Sequence, residues 1–367
     1  MPIAPGRPAS AQARILAGIE QDIRSGKLAP GDSLPPVRAL AATFRCDPVT
    51  AQRACRELER LGAFQRLGNG TRSKLVATGR RTTAMAGAIV MVSANQPGER
   101  PQEPGWSVQE LYGAVGAAQT LCATIIVVPP EALTAVRIAA WRQDGLLGIL
   151  AMGEHIEAAR AQLEVCQDAS VPLVAVDYVL PGLLCDRVGS DHHAGGRMLA
   201  EHLIAQGRRR LATLWAWMSG HPDDRAWAIA RQAGIAAACA TAGLHAPVRR
   251  VWVSSVDHAE ADRLALLQVQ DLLAGPDPPD ALLVHTDGSV PPVIRALEGC
   301  GKRVHQDIAV AGYDHYASAI PGARPCATVD KRNADIGAEM VQVLIARNTG
   351  RPTARRILRL LEPRLIT

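Results

Sequence analysis

The chain has 367 residues, which is more than one average domain requires and enough to bury a large core. Hydrophobic residues make up 48% of the chain and charged residues 20%, an ordinary balance for a globular protein. No apolar run reaches the roughly 18 to 20 residues that a membrane-spanning helix needs, so the composition excludes a membrane protein.

The positive charge is concentrated at one end of the chain. Residues 1–80 hold 13 Lys and Arg against 6 Asp and Glu, a net charge of +7, whereas residues 81–367 sum to −2. A basic head of this kind favours a polyanionic partner such as DNA, and the rest of the chain has no electrostatic reason to touch one.

Nothing in the first thirty residues resembles an apolar export signal, so we expect the protein to stay in the cytoplasm. The cysteines show neither a C-x-x-C pair nor zinc-ligand spacing. We therefore expect them to be small buried hydrophobic residues in a reducing compartment and not metal ligands. The eight positions are 46, 55, 122, 166, 185, 239, 300 and 326.

The basic head is predicted to begin with three helices. Apolar residues at helical spacing indicate a helix over 11–25, which Gly31 and Asp32 end. Two short helices over 34–44 and 48–62 are then joined by the tight turn 45–47, as in a helix-turn-helix.

The second helix of this pair is predicted to present a polar face. Asp47 can cap its start, and Pro48 suits its first position because the missing N–H costs nothing there. Ala51, Ala54, Cys55, Leu58 and Leu61 form an apolar stripe. The side chains expected to point outward as the recognition face are Val49, Gln52, Arg53, Arg56 and Arg60.

A hairpin follows. The runs 64–67 and 71–76 flank Gly68-Asn69-Gly70, and Asn-Gly between two strand-like runs is a strong hairpin signal. This is the wing of a winged helix. The small, polar segment 77–86 lacks periodicity and is predicted to be a linker, which gives a DNA-binding domain over 1–76.

Beyond the linker, short β-rich runs alternate with helical patterns. This alternation predicts an α/β fold with doubly wound parallel sheets, and the number of strands predicts two lobes with a cleft between them. Ligands of such folds bind at the carboxyl ends of the strands. The predicted strands are 88–92, 124–128, 146–151, 172–176, 210–215, 248–253, 281–284 and 308–311.

The head resembles the winged helix of the GntR family, and its Asp-Pro-x-Thr-x-Gln-Arg-Ala run is most similar to the YtrA-like and arabinose-repressor-like branches. The matching residues are Leu34, Pro35, Arg38, Leu40, Ala41, Phe44, Asp47, Pro48, Thr50, Gln52, Arg53, Ala54, Glu57, Leu58, Glu59, Gly68, Gly70 and Thr71. The resemblance implies that Arg38, Thr50, Gln52 and the wing glycines Gly68 and Gly70 approach DNA. Arg53 and Arg56 join them because they share the outward face. The chain departs from the family at Pro36, Val37, Arg72 and Ser73.

Residues 87–367 resemble the effector-binding and dimerisation domain of LacI/GalR repressors, which is itself similar to type I periplasmic sugar-binding proteins. The most diagnostic match is the string Asp-Ile-Ala-Val-Ala-Gly-Tyr-Asp over 307–314. The resemblance implies that Asp177, Arg231 and Asp314 line the cleft and bind effector hydroxyls or carboxylates. Thr286 stands where that family usually has Asn. The DNA head and hinge helix of that family are replaced here by the winged helix and linker, as in arabinose-repressor-type regulators.

Several candidate residues have alternative interpretations. Arg231 can instead be a surface charge or pair with Asp223 or Asp224. Asp287 is a further effector-binding candidate, although Asp287 and Asp191 both precede helical runs and are more simply helix N-caps. Trp217, expected just after the strand 210–215, is the preferred cleft aromatic, although aromatic residues more often pack in a core. Lys331 is expected at the surface, and in the cleft it would favour an acidic effector.

No G-x-S-x-G, H-E-x-x-H or P-loop motif is present, and His192-His193 is expected to begin a helix. We therefore expect no enzyme activity, cofactor or metal. The sequence predicts a cytoplasmic homodimeric transcription regulator, a repressor by family analogy, that binds a double-stranded DNA operator under the control of a sugar or sugar acid. The alternatives are a solute-binding protein that is not exported and a cleft enzyme that carries a DNA-binding head.

Overall fold

The computed structural model describes two compact units, one formed by residues 1–88 with 139–147 and the other by residues 89–138 with 148–367. The described residues are 10–24, 27–29, 31–60, 63–68, 74–77, 85–92, 105–152, 160–168, 171–176, 183–217, 225–253, 257–316, 318, 320, 323–349 and 356–367.

The first unit contains a winged helix. Its elements are α1 (Ala11–Arg24), α2 (Val37–Thr43), α3 (Pro48–Arg60), β1 (Phe64–Leu67) and β2 (Lys74–Ala77). β1 and β2 pair as an antiparallel hairpin, and Ser33 adds a short antiparallel bridge to Val76. The predicted helix-turn-helix and hairpin are confirmed. Ala77, predicted as the first linker residue, is buried at the end of β2 and belongs to the hairpin.

One apolar core holds this winged helix together. Ile15 and Ile19 of α1 pack with Leu40 of α2, Leu58 of α3 and Phe64 of β1, and each of these side chains is at most 2% exposed. Because the core draws on all three helices and the hairpin, the position of α3 is determined by packing as well as by its own sequence.

The second unit contains two parallel sheets. Its helices are α4 (Gly105–Thr120), α6 (Arg160–Asp168), α7 (His192–Ala205), α8 (Ala226–Thr241), α9 (His258–Ala274), α10 (Val290–Gly299) and α11 (Asn333–Thr349). It also holds the first residues of α5 (Ala135–Gln143), whose residues 139–143 are grouped with the first unit. Its strands are β3 (Ala88–Val92), β4 (Thr124–Val128), β5 (Gly148–Ala151), β6 (Leu173–Val176), β7 (Asp186–Ser190), β8 (Leu211–Trp217), β9 (Val248–Val253), β10 (Ala281–Val284), β11 (Ala309–Ala311), β12 (Thr328–Asp330), β13 (Leu358–Leu361) and β14 (Arg364–Ile366).

The strand order is β13-β7-β6-β5-β3-β4 in the larger sheet and β11-β10-β8-β9 in the smaller one. The three pairings of the smaller sheet are parallel, as are those that join β13, β7, β6, β5 and β3. β12 and β14 form a separate antiparallel pair. The predicted α/β class with parallel sheets is confirmed.

The strands β8, β10 and β11 of the smaller sheet are buried on both faces, which explains why they are largely continuous apolar runs, whereas β9 carries Arg249 and Arg250 and is partly exposed. Leu282 pairs in register with Ala212 and Val310, and these three side chains lie in a core with α9 and α10. The alternate residues Ala281, Leu211 and Ala309 belong to a second core with α7 and α8. This is the doubly wound arrangement.

All eight predicted strands are present, with bounds shifted by up to two residues. One shift matters for a site residue, because β8 extends to Trp217, which therefore ends the strand and does not follow it. Four strands were not predicted, namely β7, β12, β13 and β14.

The eight cysteines are free, and their burial varies. The prediction of buried thiols is right for Cys55, Cys166, Cys185 and Cys239. It is wrong for Cys122, which lies exposed after α4. Burial raises the pKa of the Cys166 thiol to about 12, which keeps it protonated and unreactive at neutral pH. In the part of the chain that the structure describes, no helix is long and apolar enough to cross a membrane.

Candidate functional sites

The outward face of α3 is polar and accessible. Gln52, Arg53 and Arg56 are exposed, and Arg38 is exposed on the neighbouring α2. The opposite stripe is sequestered, since Ala51, Ala54 and Leu58 are each 0% exposed. The predicted division of α3 into a buried and an outward face is thus confirmed for these residues, and their contact with DNA stays a prediction. The Arg60 side chain lies outside the described residues.

The start of α3 is held by the predicted cap. The Thr50 amide donates to Asp47 Oδ1 at 2.8 Å, and the Thr50 hydroxyl donates to Asp47 Oδ2 at 2.6 Å. These bonds lower the pKa of the Asp47 carboxyl, because they stabilise its charged form. The Thr50 hydroxyl, a predicted DNA contact, thereby donates its hydrogen bond within the protein. Its free lone pairs suit a base amino group better than a phosphate.

The wing is tied to the same helix. Arg66 of β1 forms a two-point ion pair with Glu59 of α3, with Nη2 to Oε2 at 2.9 Å and Nε to Oε1 at 3.2 Å. Gly68 follows β1 with φ of +84°, a left-handed conformation that favours glycine. Gly70, a predicted DNA contact, lies outside the described residues.

In the second unit, titratable side chains gather at the carboxyl ends of strands. His285 follows β10, Asp314 follows β11 after two residues, and Lys331 follows β12. Arg231 reaches the same place from α8. Open α/β folds place ligands at this edge of a sheet, because the loops there leave a crevice between neighbouring crossovers.

Arg231 is buried and held on several sides. Its Nη1 donates to the His285 carbonyl oxygen at 2.5 Å, and its Nη2 lies 3.4 Å from His192 Nδ1. The guanidinium stacks 3.4 Å from the centroid of the Tyr313 ring and 4.8 Å from that of Trp227. The alternative surface position is therefore wrong. Asp223 and Asp224, the alternative partners, lie outside the described residues.

Asp314 stands between two cations. Its Oδ1 is 4.0 Å from Arg231 Nη2 and 3.5 Å from Lys331 Nζ, and the three side chains are only 5 to 7% exposed. Its backbone is held in place, since its amide donates to the Val329 carbonyl and its carbonyl accepts from Asn333 Nδ2. The expectation of a surface position for Lys331 is wrong, because the turn after β12 directs this side chain inward to Asp314.

Asp287 is buried as well, with a different role. It starts a short 3-10 helix whose N-cap is Thr286, so the N-cap interpretation of Asp287 is wrong. Its Oδ1 accepts from the Thr328 hydroxyl at 2.8 Å and its Oδ2 from the Tyr316 amide at 2.9 Å. The carboxylate thus joins the three segments that carry His285, Asp314 and Lys331. The cap prediction for Asp191 is confirmed, because it accepts from Ala194 N at the start of α7.

His285 and Tyr313 belong to this buried cluster but were not among the predicted site residues. Complete burial and the nearby Arg231 guanidinium lower the pKa of His285 to about 3, so its ring is neutral at physiological pH. The signal that marks both is their place just after a predicted apolar strand. Of the other predicted effector residues, Asp177 lies outside the described residues, as does the side chain of Trp217.

Close helix packing positions Arg231. A Cβ added to Gly234 of α8 would lie 2.0 Å from the His193 carbonyl oxygen of α7. One added to Gly196 of α7 would lie 2.2 Å from the Arg231 carbonyl oxygen. The backbones of the two helices therefore touch, and this contact brings Arg231 next to His192.

Comparison with known families agrees with this architecture. Residues 11–72 match the model of bacterial regulatory proteins of the gntR family, and residues 200–367 match that of the periplasmic binding protein-like domain. The chain is thus similar to a gntR-family helix-turn-helix over residues 11–72 and to a periplasmic binding protein-like domain over residues 200–367.

Curated relatives are transcription regulators. The HTH-type transcriptional regulator CelR of Thermobifida fusca is 29% identical over 56% of this chain and 58% of its own length. The HTH-type transcriptional repressor PurR of Photobacterium profundum is 25% identical over 57% of this chain and 60% of its own. The chain thus matches about three fifths of the length of these relatives.

Solved structures share the fold. A transcriptional regulator CelR-cellobiose complex superposes with a TM-score of 0.60 at 20% identity, covering 98% of this chain and 99% of that one. A LacI family transcriptional regulator from Enterococcus faecium with bound ribose has a TM-score of 0.58 at 16% identity, covering 76% and 97%.

Proposed function

We propose that this protein is a transcription regulator whose affinity for a DNA operator is controlled by a small polar effector. It binds double-stranded DNA as a homodimer in the cytoplasm, acts as a repressor and catalyses no reaction. The observation that carries the proposal is the presence in one chain of an exposed basic helix-turn-helix face and a buried cluster of charged side chains built around Arg231 and Asp314.

The DNA-binding part of the proposal is supported by geometry and charge. In the N-terminal domain, α3 begins with a rigid cap, and Gln52 and Arg53 follow on its exposed face. Side chains near the start of a recognition helix are those that reach base edges in the major groove, where Gln can pair with adenine and Arg with guanine. The basic head supplies the attraction to phosphates.

The effector part is supported by the chemistry of this buried cluster, which is the proposed effector pocket. Among the described residues, Asp314 Oδ1 accepts no hydrogen bond although it is buried. A buried carboxylate oxygen of this kind is costly unless a donor reaches it, and a sugar hydroxyl is such a donor. Arg231 beside it can hold a second oxygen of the same molecule. The effector class is therefore a sugar or a sugar-derived acid.

The experiment is a thermodynamic cycle. Cellobiose, ribose and their aldonic acids are titrated into the full chain with and without a DNA duplex selected from the native upstream region. If effector and operator prefer different states, each must change the affinity of the other by the same factor, which is about 5-fold to 150-fold for typical couplings.

Variants test the assignment of the pocket. Arg231→Ala should abolish the effector response while DNA binding persists, and Arg197→Ala, which removes an exposed arginine paired with Glu201, should change neither. Circular dichroism checks that both variants fold. Asp314→Asn tests the same pocket with a smaller change, because it removes the charge and keeps the size of the side chain. Equal effector affinity with and without operator would leave a DNA-binding protein without this switch.

A further inference from the structure

Val49 is the second residue of α3, and its apolar side chain is 61% exposed on the otherwise polar outward face of that helix. We propose that Val49 packs against the C5 methyl group of a thymine in the operator and thereby selects that base. The inference rests on the proposed binding of DNA and makes it specific for one base. Valine carries no donor or acceptor in its side chain, so this recognition is by apolar contact alone.

The position of Val49 is that of a residue that reaches base edges. Side chains near the start of a recognition helix are the ones that contact bases in the major groove. Gln52 lies three residues further along α3 and is exposed as well, so the two side chains are neighbours on one face of the helix. DNA that approaches Gln52 along this face therefore also meets Val49.

The start of α3 presents Val49 in a defined orientation. Asp47 accepts hydrogen bonds from the amide and the hydroxyl of Thr50, at 2.8 and 2.6 Å, and these bonds span the turn that contains Val49. Pro48 fixes one backbone angle of the same turn. A valine in a helix also has one strongly preferred rotamer. Contact with a base consequently costs little conformational entropy.

The chemistry around Val49 favours a base over a phosphate. Pro48 beside it is exposed and has no backbone N–H to donate, and the exposed Asp47 carboxylate is negatively charged at neutral pH. A phosphate at this place would be repelled by Asp47. In the major groove, the C5 methyl group of thymine is the apolar group of the base edges, and apolar side chains contact it.

The size of one methyl group determines the expected effect. Removal of an apolar group of this size from water changes an equilibrium constant about fourfold. A dimer contacts two half-sites, and independent contributions multiply, so the loss of both thymine methyl groups should weaken binding about 15-fold.

Replacement of thymine by deoxyuridine tests the inference, because it removes the C5 methyl group and keeps each hydrogen-bonding group of the base. The operator is a duplex that the full chain selects from a random-sequence library, and each thymine is replaced in both half-sites. We expect one position at which binding weakens about 15-fold in fluorescence anisotropy. It should lie about one or two base pairs from the position where Gln52→Ala relaxes specificity, because three helical residues span about 4.5 Å and base pairs are about 3.4 Å apart.

Variants assign the methyl contact to a residue. Val49→Ala should fold, because the side chain is exposed, and should bind the thymine and deoxyuridine operators within about twofold of each other. Val136→Ala shortens a valine of the second unit that is 81% exposed, and it should keep the full difference. With cytosine at the same position, 5-methylcytosine should tighten binding of the wild-type chain about fourfold per half-site and leave Val49→Ala nearly unchanged.

The outcomes separate this inference from the proposed function. An operator that binds tightly and tolerates deoxyuridine at each of its thymines would overturn the thymine contact and leave the regulator intact. A loss that persists undiminished in Val49→Ala would give the methyl contact to another residue and overturn the role of Val49. If the full chain selects no sequence from the library, the proposed binding of an operator is overturned together with this inference.

Discussion

His285 stays neutral in the folded protein. Burial of its ring and the neighbouring Arg231 guanidinium together lower its pKa from 6.5 to about 3. Below pH 6.5 this histidine binds a proton in the unfolded chain but not in the folded protein. The free energy of unfolding therefore decreases as the pH falls below 6.5. The loss should reach about 2 kcal/mol between about pH 7.5 and 5, where the carboxyl groups of Asp and Glu remain ionised.

Urea unfolding across this pH range measures the effect. His285→Gln removes the proton-binding group and should flatten the decline, and His245→Gln, which removes an exposed histidine, should leave it unchanged. Parallel curves for the wild-type protein and His285→Gln would show that His285 titrates alike in both states.

Two exposed residues of the head should act differently on DNA. If Arg38 contacts a phosphate, Arg38→Ala should weaken binding to all sequences alike and reduce the salt dependence by about one unit. If Gln52 reads an adenine edge, Gln52→Ala should cost about 1 to 3 kcal/mol at one base position and relax specificity there. Both should keep the fold, because neither side chain is buried.

Fluorescence anisotropy at several salt concentrations gives both readouts. Lys302→Ala and Gln270→Ala are matched controls, since they remove the same charge or amide from exposed positions of the other unit. Unchanged operator affinity in both head variants would remove this face from the interface.

The contact of α7 with α8 is the element-scale feature on which the pocket depends. Gly234→Ala would place a methyl group 2.0 Å from the His193 carbonyl oxygen, and backbone cannot yield as a flexible side chain can. The helices must separate, which should destabilise the protein by about 1 to 3 kcal/mol and weaken effector binding, since Arg231 sits one turn away.

Gly116→Ala is the control for this prediction. Gly116 lies in α4, and an added Cβ would meet nothing within 4 Å. That change should stabilise the helix by about 0.5 to 1 kcal/mol, because alanine loses less backbone entropy than glycine. Thermal unfolding of the three proteins compares them, and a Gly234→Ala protein as stable as Gly116→Ala would contradict the close packing.

At the scale of the whole molecule, the proposed homodimer predicts that affinity for the operator depends strongly on the presence of two half-sites. Two linked heads bind a second half-site at high effective concentration, so the full chain should bind a palindromic duplex at least a hundredfold more tightly than one with a scrambled half. Gel shift with a selected operator measures the ratio. Sedimentation that finds a monomer at micromolar concentration, with and without operator, would contradict the prediction.

The sequence alone determined the elements that depend on near neighbours. The cap of Asp47 on Thr50 and the hairpin at Gly68 involve residues at most a few positions apart, and apolar runs such as Ile89 to Val92 become buried parallel strands wherever they pack. Local hydrogen bonds and the spacing of apolar residues depend only on residues that are close together in the sequence. The winged helix and the α/β class could therefore be predicted.

Only the tertiary structure decided the missed strands and the pocket. β7 begins with Asp186, which reads as a turn residue, yet its carboxylate is buried against Arg347 with Nη2 to Oδ1 at 2.6 Å. Lys331 is predicted to be a surface residue, yet it is buried next to Asp314. Arg231 meets the His285 carbonyl across 54 positions of sequence. A charge is buried only where a distant partner offsets its loss of water, and that partner is known only once the chain has folded.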